Sequence, residues 1–147
     1  MKNLIRVEID RLAVEPRTLT HLVFLREEGG RRVLPIAIGV FEAEAIARAV
    51  GGIEFHRPLT HNLLKSVIEH LGGRLERVVV NDLREDTFYA RLIIIQGNRR
   101  LSIDARPSDS ICLAALTGAP IFVSAHVMAK AGVELPEEEG EEGEGGD

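Results

Sequence analysis

The chain has 147 residues, of which 45% are apolar, enough for one domain with a hydrophobic core of its own. No apolar run approaches the roughly 20 residues that cross a bilayer, and charge interrupts the first residues too early for a signal peptide. The single cysteine, Cys112, cannot form an internal disulfide, so we expect a cytoplasmic protein without a membrane partner.

The net charge of −5 is distributed unevenly along the chain. Residues 131–147 hold eight acidic residues and no Lys or Arg, which leaves residues 1–130 with 15 acids against 18 bases, a charge of +3. Arginines in residues 1–130 can bind phosphates, but a net charge of +3 is far below that of a typical nucleic-acid-binding domain. Surface salt bridges explain the arginines at least as well.

The first half of the chain predicts three strands followed by a helix. Apolar and polar side chains alternate over residues 4–14, the pattern of a half-buried strand. Residues 20–26 and 31–38 predict two more strands, joined by a hairpin turn at Gly29. Residues 40–50 then predict a helix with one apolar face. That face consists of Ala43, Ile46, Ala47 and Val50.

The second half repeats this order after an inserted helix. Thr60 is predicted to cap that helix, which has the clearest amphipathic pattern in the chain. Residues 75–81, 87–95 and 99–105 predict three strands, and residues 108–117 predict a helix. A short strand at 121–123 and one or two helical turns at 125–131 follow.

The two halves also correspond residue by residue. A register that places Ile38 on Ile103 places Glu44 on Asp109. We therefore predict an α+β fold made of a duplicated β-β-β-α unit, with mainly antiparallel strands covered by helices and one helix inserted between the copies. The domain is expected to span residues 1–132, and the Glu- and Gly-rich residues 133–147 are expected to form a disordered acidic tail.

Charged residues gather where the strand at 99–105 meets the following helix. Asp104 and Asp109 flank this turn, Arg106 lies between them, and Ser108 is placed to cap the helix. Such a strand-to-helix turn is a favoured place for chemistry because rigid elements hold both of its ends. The alternative is structural, since Asp104 can simply hold Arg106 or the amides of the turn.

A second pair of acids, Glu42 and Glu44, opens the first helix. Together with the two aspartates they predict a site for a hard cation such as Mg²⁺ or Mn²⁺, which assists hydrolysis by binding carboxylates, water and phosphate. Acids in a first turn also stabilise the helix dipole, and Glu44 can pair with Arg48 one turn later. Both interpretations remain open.

A third polar group precedes the inserted helix. His56, Arg57, Thr60 and His61 surround its first turn, and a helix N-terminus beside Arg and His predicts a phosphate site. His61 can equally be an ordinary exposed residue, and the spacing of the histidines matches no zinc motif. Three aromatic residues can stack bases, but core packing is the expected role for them at an aromatic content of 4%. They are Phe55, Phe88 and Tyr89.

Several sequence blocks resemble those of one family in order and spacing. They are Leu-Pro-Ile-Ala-Ile-Gly at 34–39, Arg-Pro-Leu-Thr-His at 57–61, Phe-Tyr-Ala at 88–90, Asp-Ala-Arg-Pro-Ser-Asp at 104–109 and Ala-Pro-Ile-Phe-Val at 119–123. Over about residues 3–130 the chain is similar to the bifunctional nuclease domain family, also known as DUF151. The resemblance implies a compact α+β domain, a homo-oligomer with a dimer as the simplest form, and nuclease activity on DNA and RNA.

The resemblance also implies which positions carry the site. The matching positions are Glu42, Arg57, Thr60, His61, Asp104, Arg106, Ser108 and Asp109. Asn62 is a departure, because the family commonly has Asp after Thr-His.

Two functional hypotheses follow from the residues and the resemblance. The first is a non-specific nuclease with three sets of site residues: His61, Asp104, Asp109 and Glu42 as catalytic groups, Arg57, Thr60, Arg106 and Ser108 as substrate contacts, and Asp104, Asp109 and Glu44 as ligands of Mg²⁺ or Mn²⁺. The second is a non-catalytic binding or regulatory module, an oligomer in which the same residues form a structural network.

Overall fold

The computed structural model describes residues 3–135, which fold into eight strands and four helices. In chain order these are β1 (Leu4–Val14), β2 (His21–Glu27), β3 (Arg32–Ile38), α1 (Val40–Gly51), α2 (Thr60–His70), β4 (Gly73–Arg84), β5 (Thr87–Gln96), β6 (Arg99–Ala105), α3 (Pro107–Thr117), β7 (Ile121–Ser124), α4 (Ala125–Ala131) and β8 (Val133–Glu134). The α+β class is confirmed. No helix in this described part of the chain is long and apolar enough to span a membrane.

The strands form one sheet in the order β6-β5-β4-β7-β1-β2-β3-β8. Two antiparallel meanders, β1-β2-β3 and β4-β5-β6, lie on either side of β7. Strand β7 joins them by pairing antiparallel to β1 and parallel to β4. The sheet is therefore mainly antiparallel, as predicted, and each meander is followed by a helix, α1 or α3.

The residue correspondence between the two units differs from the predicted one. Strands β3 and β6 have the same length, and α1 and α3 both begin two residues after their strand ends. This correspondence makes Glu42 and Asp109 equivalent, since each is the third residue of its helix. The predicted pairing of Glu44 with Asp109 was wrong by two residues, because few identities support either register.

The helices bury very different amounts of their surface. Helix α3 packs against α1, α2, β4 and β5, and most of its residues are buried, from Pro107 to Ala114. Helix α1 buries Ala43 and Ile46, whereas Val50 of its predicted apolar face is exposed. Helix α2 has no buried residue at all. The core lies where α1, α3 and α4 pack against the apolar side chains of both meanders.

Two strand boundaries differ from the predictions. Strand β4 extends to Arg84 rather than stopping near residue 81, which lengthens its pairing with β5. Strand β8 was missed, because two residues carry no periodicity, and it pairs Val133 with Val33 of β3. The tail was predicted to be disordered from residue 133, but residues 133–134 belong to the sheet, and residues 136–147 of that prediction lie outside the described part.

The start of α2 also corrects a predicted cap. Leu59 is the N-cap residue and Thr60 is the first residue of the helix, so the Thr60 hydroxyl caps nothing. Asn62 reaches back instead, and its Oδ1 accepts a hydrogen bond of 3.3 Å from the backbone N–H of Leu59. This is the returning half of a capping box, in which the third helical residue satisfies the N-cap amide.

Candidate functional site

A cleft of about 900 Å³ opens beside the N-terminal ends of three helices. Helix α1, the loop before α2, α2 itself, strands β5 and β6 and helix α3 all contribute to its lining. Six of the residues predicted for the site line it: Glu42, Thr60, His61, Asp104, Arg106 and Asp109. Residues distant in the sequence therefore meet in one cleft.

Arg106 is the centre of the polar cluster in this cleft. Its Nε donates to Asp109 Oδ2 at 3.0 Å and its Nη2 donates to Asp109 Oδ1 at 3.3 Å. Its Nη1 donates to Glu42 Oε2 at 3.2 Å. The guanidinium thus links the two equivalent helix starts and is held in one orientation, while 63% of its side-chain surface stays exposed.

The backbone fixes Arg106 as well. Arg106 is the N-cap residue of α3, and Pro107 follows at the first helical position, where its missing N–H costs nothing. The Ser110 hydroxyl donates to the Arg106 carbonyl at 3.0 Å. The predicted cap by Ser108 was wrong, because Ser108 is buried at the second position of the helix and makes no cap hydrogen bond.

His61 joins the cluster from α2. Its Nε2 lies 2.8 Å from Asp109 Oδ1, and the imidazole is half-buried. Because an ionised carboxylate only accepts hydrogen bonds, Nε2 carries the proton, and in the neutral ring Nδ1 then has the free lone pair. This arrangement, a carboxylate orienting an imidazole, is one that prepares histidine for proton transfer.

The electrostatics keep Asp109 ionised. Burial raises the pKa of Asp109, but the hydrogen bonds from Arg106 and His61 more than offset burial, so its pKa is lowered from the ordinary value. The same contact with Asp109, aided by Glu42, raises the pKa of Arg106. The cluster therefore holds a permanent cation against a permanent anion at neutral pH.

Asp104 lies at the edge of the cleft but outside this cluster. Its carboxylate is 3.9 Å from the Arg91 guanidinium, and 75% of its side chain is exposed. Arg91 is itself held by Ser102 through hydrogen bonds of 3.0 and 2.8 Å. The structure thus places Asp104 on the flank of the meander, apart from its predicted partner Asp109.

Three further predicted residues are not part of the cleft lining. Glu44 pairs with Arg48 at 3.7 Å across one helical turn, which is the structural interpretation of that residue. Ser108 is buried inside the fold. Arg57 is exposed in the loop before α2. The motif blocks therefore mix cleft residues with residues that support the fold around the cleft.

The residues predicted to hold a divalent cation do not form one donor set. Glu44 lies off the cleft, Asp104 faces solvent, and both oxygens of Asp109 already accept hydrogen bonds from neighbours. Over residues 3–135, no group of three or more His, Cys, Asp or Glu side chains is arranged to hold a metal ion. A bound Mg²⁺ or Mn²⁺ stays a prediction that this arrangement does not fit.

The apolar rim of the cleft was not predicted. Phe41 is 77% exposed and Phe55 is 45% exposed, and both line the cleft together with Ile53 and Leu59. Core packing was the wrong expectation for Phe55, whereas Phe88 does pack against the core. A signal was available in the sequence, since Phe41 lies off the predicted apolar face of α1 and directly precedes Glu42.

Cys112 lies beneath the cluster and is buried. Burial, with a smaller effect from the Asp109 charge, raises the pKa of its thiol to about 11, and its Sγ contacts the carbonyl of Ala45. A thiol that stays protonated is a poor nucleophile. Cys112 is therefore a residue of the hydrophobic core rather than a nucleophile.

The residues of this cleft lie within a region that matches a known protein family. The bifunctional nuclease domain family matches residues 23–136. This range includes all four residues of the Arg106 cluster, which are Glu42, His61, Arg106 and Asp109. The chain belongs to the bifunctional nuclease domain family. An uncharacterized protein of Mycobacterium tuberculosis is 44% identical over 136 residues, which cover 92% of this chain and 81% of that protein.

More distant relatives of the family come from plants. Bifunctional nuclease 1 of Oryza sativa subsp. indica is 28% identical over 119 residues, covering 78% of this chain and 36% of the plant protein. Bifunctional nuclease 1 of Arabidopsis thaliana is 25% identical over 119 residues, covering 79% and 37%. This chain thus corresponds to about a third of each plant protein.

Proposed function

We propose that this domain hydrolyses phosphodiester bonds of DNA and RNA, without strong sequence preference, at the Arg106 cluster. The observation that carries the proposal is the arrangement of Arg106 between Glu42 and Asp109, with His61 on the same carboxylate, at an open cleft. A fixed, exposed guanidinium beside an oriented imidazole is a combination suited to binding and attacking a phosphodiester. Membership of the family and the names of the plant relatives support the same class of reaction.

The cluster suggests a role for each of its side chains. The Arg106 guanidinium binds the phosphodiester oxygens and stabilises the charge that grows on them in the transition state. Nδ1 of His61 accepts a proton from the attacking water while the water oxygen bonds to phosphorus and the P–O bond to the leaving oxygen breaks. Asp109 orients the imidazole and stabilises it when it is protonated.

Glu42 and Thr60 have supporting roles in this proposal. Glu42 fixes the second edge of the guanidinium through Nη1, so that the remaining face of Arg106 is presented to the cleft. Thr60 lines the cleft at the first turn of α2, where its hydroxyl can contact a phosphate oxygen. Arg57, exposed in the preceding loop, is proposed to attract the polynucleotide from outside the cleft.

A cleavage assay on single-stranded DNA and RNA tests the proposal. The wild type is assayed with EDTA, with Mg²⁺ and with Mn²⁺, beside His61→Ala and Arg106→Ala. We expect His61→Ala to lower kcat by about 10²- to 10⁴-fold, the usual contribution of a general base. Asp104→Asn is the matched control, because Asp104 is exposed and outside the cluster, and its activity should stay near that of the wild type.

The assay has a clear negative outcome. Cleavage that is equal in the wild type and in both cluster variants would come from a contaminating nuclease and would contradict the proposal. Cleavage in EDTA that disappears in His61→Ala would support proton transfer by the imidazole without a cation. The cytoplasmic location and the dimeric state stay predictions beside this proposal.

The second candidate is a non-catalytic oligomeric module, and one observation favours it. The cluster joins three helices, α1 through Glu42, α2 through His61 and α3 through Asp109, and so is suited to holding them together. Helix α2 also exposes Leu63, Leu64 and Val67. In this case the wild type should lack activity with every cation, which separates this candidate from the nuclease; a loss of thermal stability in the cluster variants fits both.

A further inference from the structure

The two exposed phenylalanines at the rim of the cleft are not explained by the fold. Phe41 keeps 77% of its surface exposed although an aromatic side chain gains considerably from burial. Phe41 lines the same cleft as Glu42, which holds Arg106, so the exposed ring and the polar cluster face one cavity. Phe55 lines the same cleft from the loop before α2. Exposed apolar surface around a polar site indicates contact with a ligand or partner.

The rim and the polar cluster offer two different kinds of contact within one cleft. The Arg106 guanidinium supplies a fixed positive group whose side chain is 63% exposed. The rim supplies flat aromatic rings, and the guanidinium carbon of Arg48 lies 5.9 Å from the centre of the Phe55 ring. Arg48 lies over one face of the Phe55 ring, and 45% of Phe55 stays exposed and can receive a planar group.

A single-stranded polynucleotide presents the matching pair of groups, phosphates along its backbone and unstacked bases beside it. Proteins that bind such strands combine positive charge along the backbone with aromatic rings on which bases stack. In a duplex the bases are already stacked and paired inside the helix, so their faces are closed to the rim. A second copy of this chain is the less favourable occupant, because covering Arg106 with an apolar surface would desolvate a charged group.

We propose that Phe41 and Phe55 stack unpaired bases and give this domain a preference for single-stranded over double-stranded nucleic acid. This inference rests on the proposed function, since it assumes that a phosphodiester occupies Arg106, and it adds the class of substrate. Phe41 and Phe55 bind bases and take no part in proton transfer. Their effect should therefore fall on binding and KM rather than on kcat.

A tryptophan reporter tests the stacking directly, because the chain contains no tryptophan. Phe41→Trp places a single indole at the rim, and Leu71→Trp is the matched control, since Leu71 is 67% exposed and is not part of the cleft lining. The two proteins are titrated with a single-stranded oligonucleotide and with the same sequence closed into a hairpin duplex. We expect the single strand to quench the indole emission of Phe41→Trp strongly and the duplex to quench it weakly. Neither oligonucleotide should affect the emission of Leu71→Trp.

Binding and kinetics of the alanine variants complete the test. Phe41→Ala should weaken binding of the single strand about tenfold, the usual loss of one stacked base, and leave binding of the duplex nearly unchanged. Its KM should rise by a similar factor at constant kcat. Leu71→Ala should match the wild type, and Phe41→Tyr, which keeps the ring, should retain most of the binding.

The outcomes separate this inference from the proposed function. Equal binding of strand and duplex, or no effect of Phe41→Ala, overturns the stacking inference, while a loss of cleavage in His61→Ala would still support the nuclease. Absence of any oligonucleotide binding by the wild type overturns the inference as well, and the cleavage assay then decides the proposed function alone. A shift of Phe41→Ala to a smaller assembly in size-exclusion chromatography would show that the rim contacts a second copy, and this also overturns it.

Discussion

Helices α2 and α3 have the same length, lie side by side and contribute to the same cluster, yet they differ completely in burial. Seven residues of α3 are buried, and none of α2 is. The amphipathic pattern is nevertheless clearer in α2, whose apolar residues recur on one face. Periodicity thus reports that a helix has an apolar face, but the position of the helix relative to the sheet decides whether the chain itself covers that face.

The largest expected effect comes from equivalent truncations in the two helices. Leu113 of α3 is fully buried in the core, so Leu113→Ala should lower the free energy of unfolding by about 3 kcal/mol through lost burial and a residual cavity. Leu63 of α2 is exposed, and Leu63→Ala should change the free energy by less than about 0.5 kcal/mol. Urea denaturation of the three proteins measures both differences.

The result for Leu63→Ala tests whether the apolar face of α2 is exposed in solution. A large loss in Leu63→Ala that depends on protein concentration would mean that a second subunit covers α2 in solution. A large loss at every concentration would mean that the chain itself covers it. Equal m-values are required for either comparison, because a changed m-value reports a different unfolded or native state.

A smaller effect is expected where His61 connects the two helices through Asp109. Asp109→Asn removes the anion that accepts from Arg106 and His61 and should lower the free energy of unfolding by about 1–2 kcal/mol at pH 7, since the cluster is partly exposed. Asp104→Asn, on an exposed carboxylate, is the control and should have almost no effect.

The pH dependence of that difference has a definite sign. The pKa of Asp109 in the folded protein is lowered below its ordinary value of 3.8, so the anion stabilises the fold above that pH. The contribution of the ionised Asp109 to the difference between the wild type and Asp109→Asn should be fully present at pH 5 and above. It should shrink as the pH falls below about 4, where the carboxylate of the unfolded chain gains a proton first, and it should vanish once the folded carboxylate is protonated as well. Stability curves at several pH values in which the difference does not shrink below about pH 4 would contradict the ion pair.

The order of the elements was predictable from the sequence because each strand and helix carries a local signal. Alternation identified β1, and the bounds of β6 were predicted to the residue. What could not be predicted is the role of β7, a four-residue strand that joins the two meanders by pairing with β1 and β4. Its pairing depends on contacts between segments distant in the chain, which no local pattern encodes.

The sequence predicted which residues form the candidate site better than it predicted how they are arranged. Residue types and spacing selected Glu42, His61, Arg106 and Asp109, which the fold does bring together. The sequence could not separate Asp104 from them, because the side chain of Asp104 turns toward Arg91 across the strand pair while that of Asp109 turns into the cleft. Side chains that lie five positions apart at a strand-to-helix turn take directions that only the folded backbone determines.

The smallest expected effect concerns the first turn of α2, where capping and charge should contribute more to stability than they do in α3. Helix α2 packs on the core only through partly buried residues such as Ile68, so capping and charge should contribute a larger share of its stability than in α3. Asn62→Ala removes the acceptor for the Leu59 N–H and should lower the free energy of unfolding by about 0.5 kcal/mol. Asn62→Asp keeps an acceptor, adds a negative charge at the N-terminus of the helix, and should raise it by about 0.3–0.5 kcal/mol.

Hydrogen exchange of the α2 amides is the measurement that resolves effects of this size. The expected order of protection is Asn62→Asp above the wild type and the wild type above Asn62→Ala, with the amides of α3 unchanged in all three proteins. A parallel change in α3 would show that the two helices open together through the His61–Asp109 contact. In that case the cluster, and not the buried surface of each helix, would set the stability of both, and the contrast in burial between α2 and α3 would lose its energetic meaning.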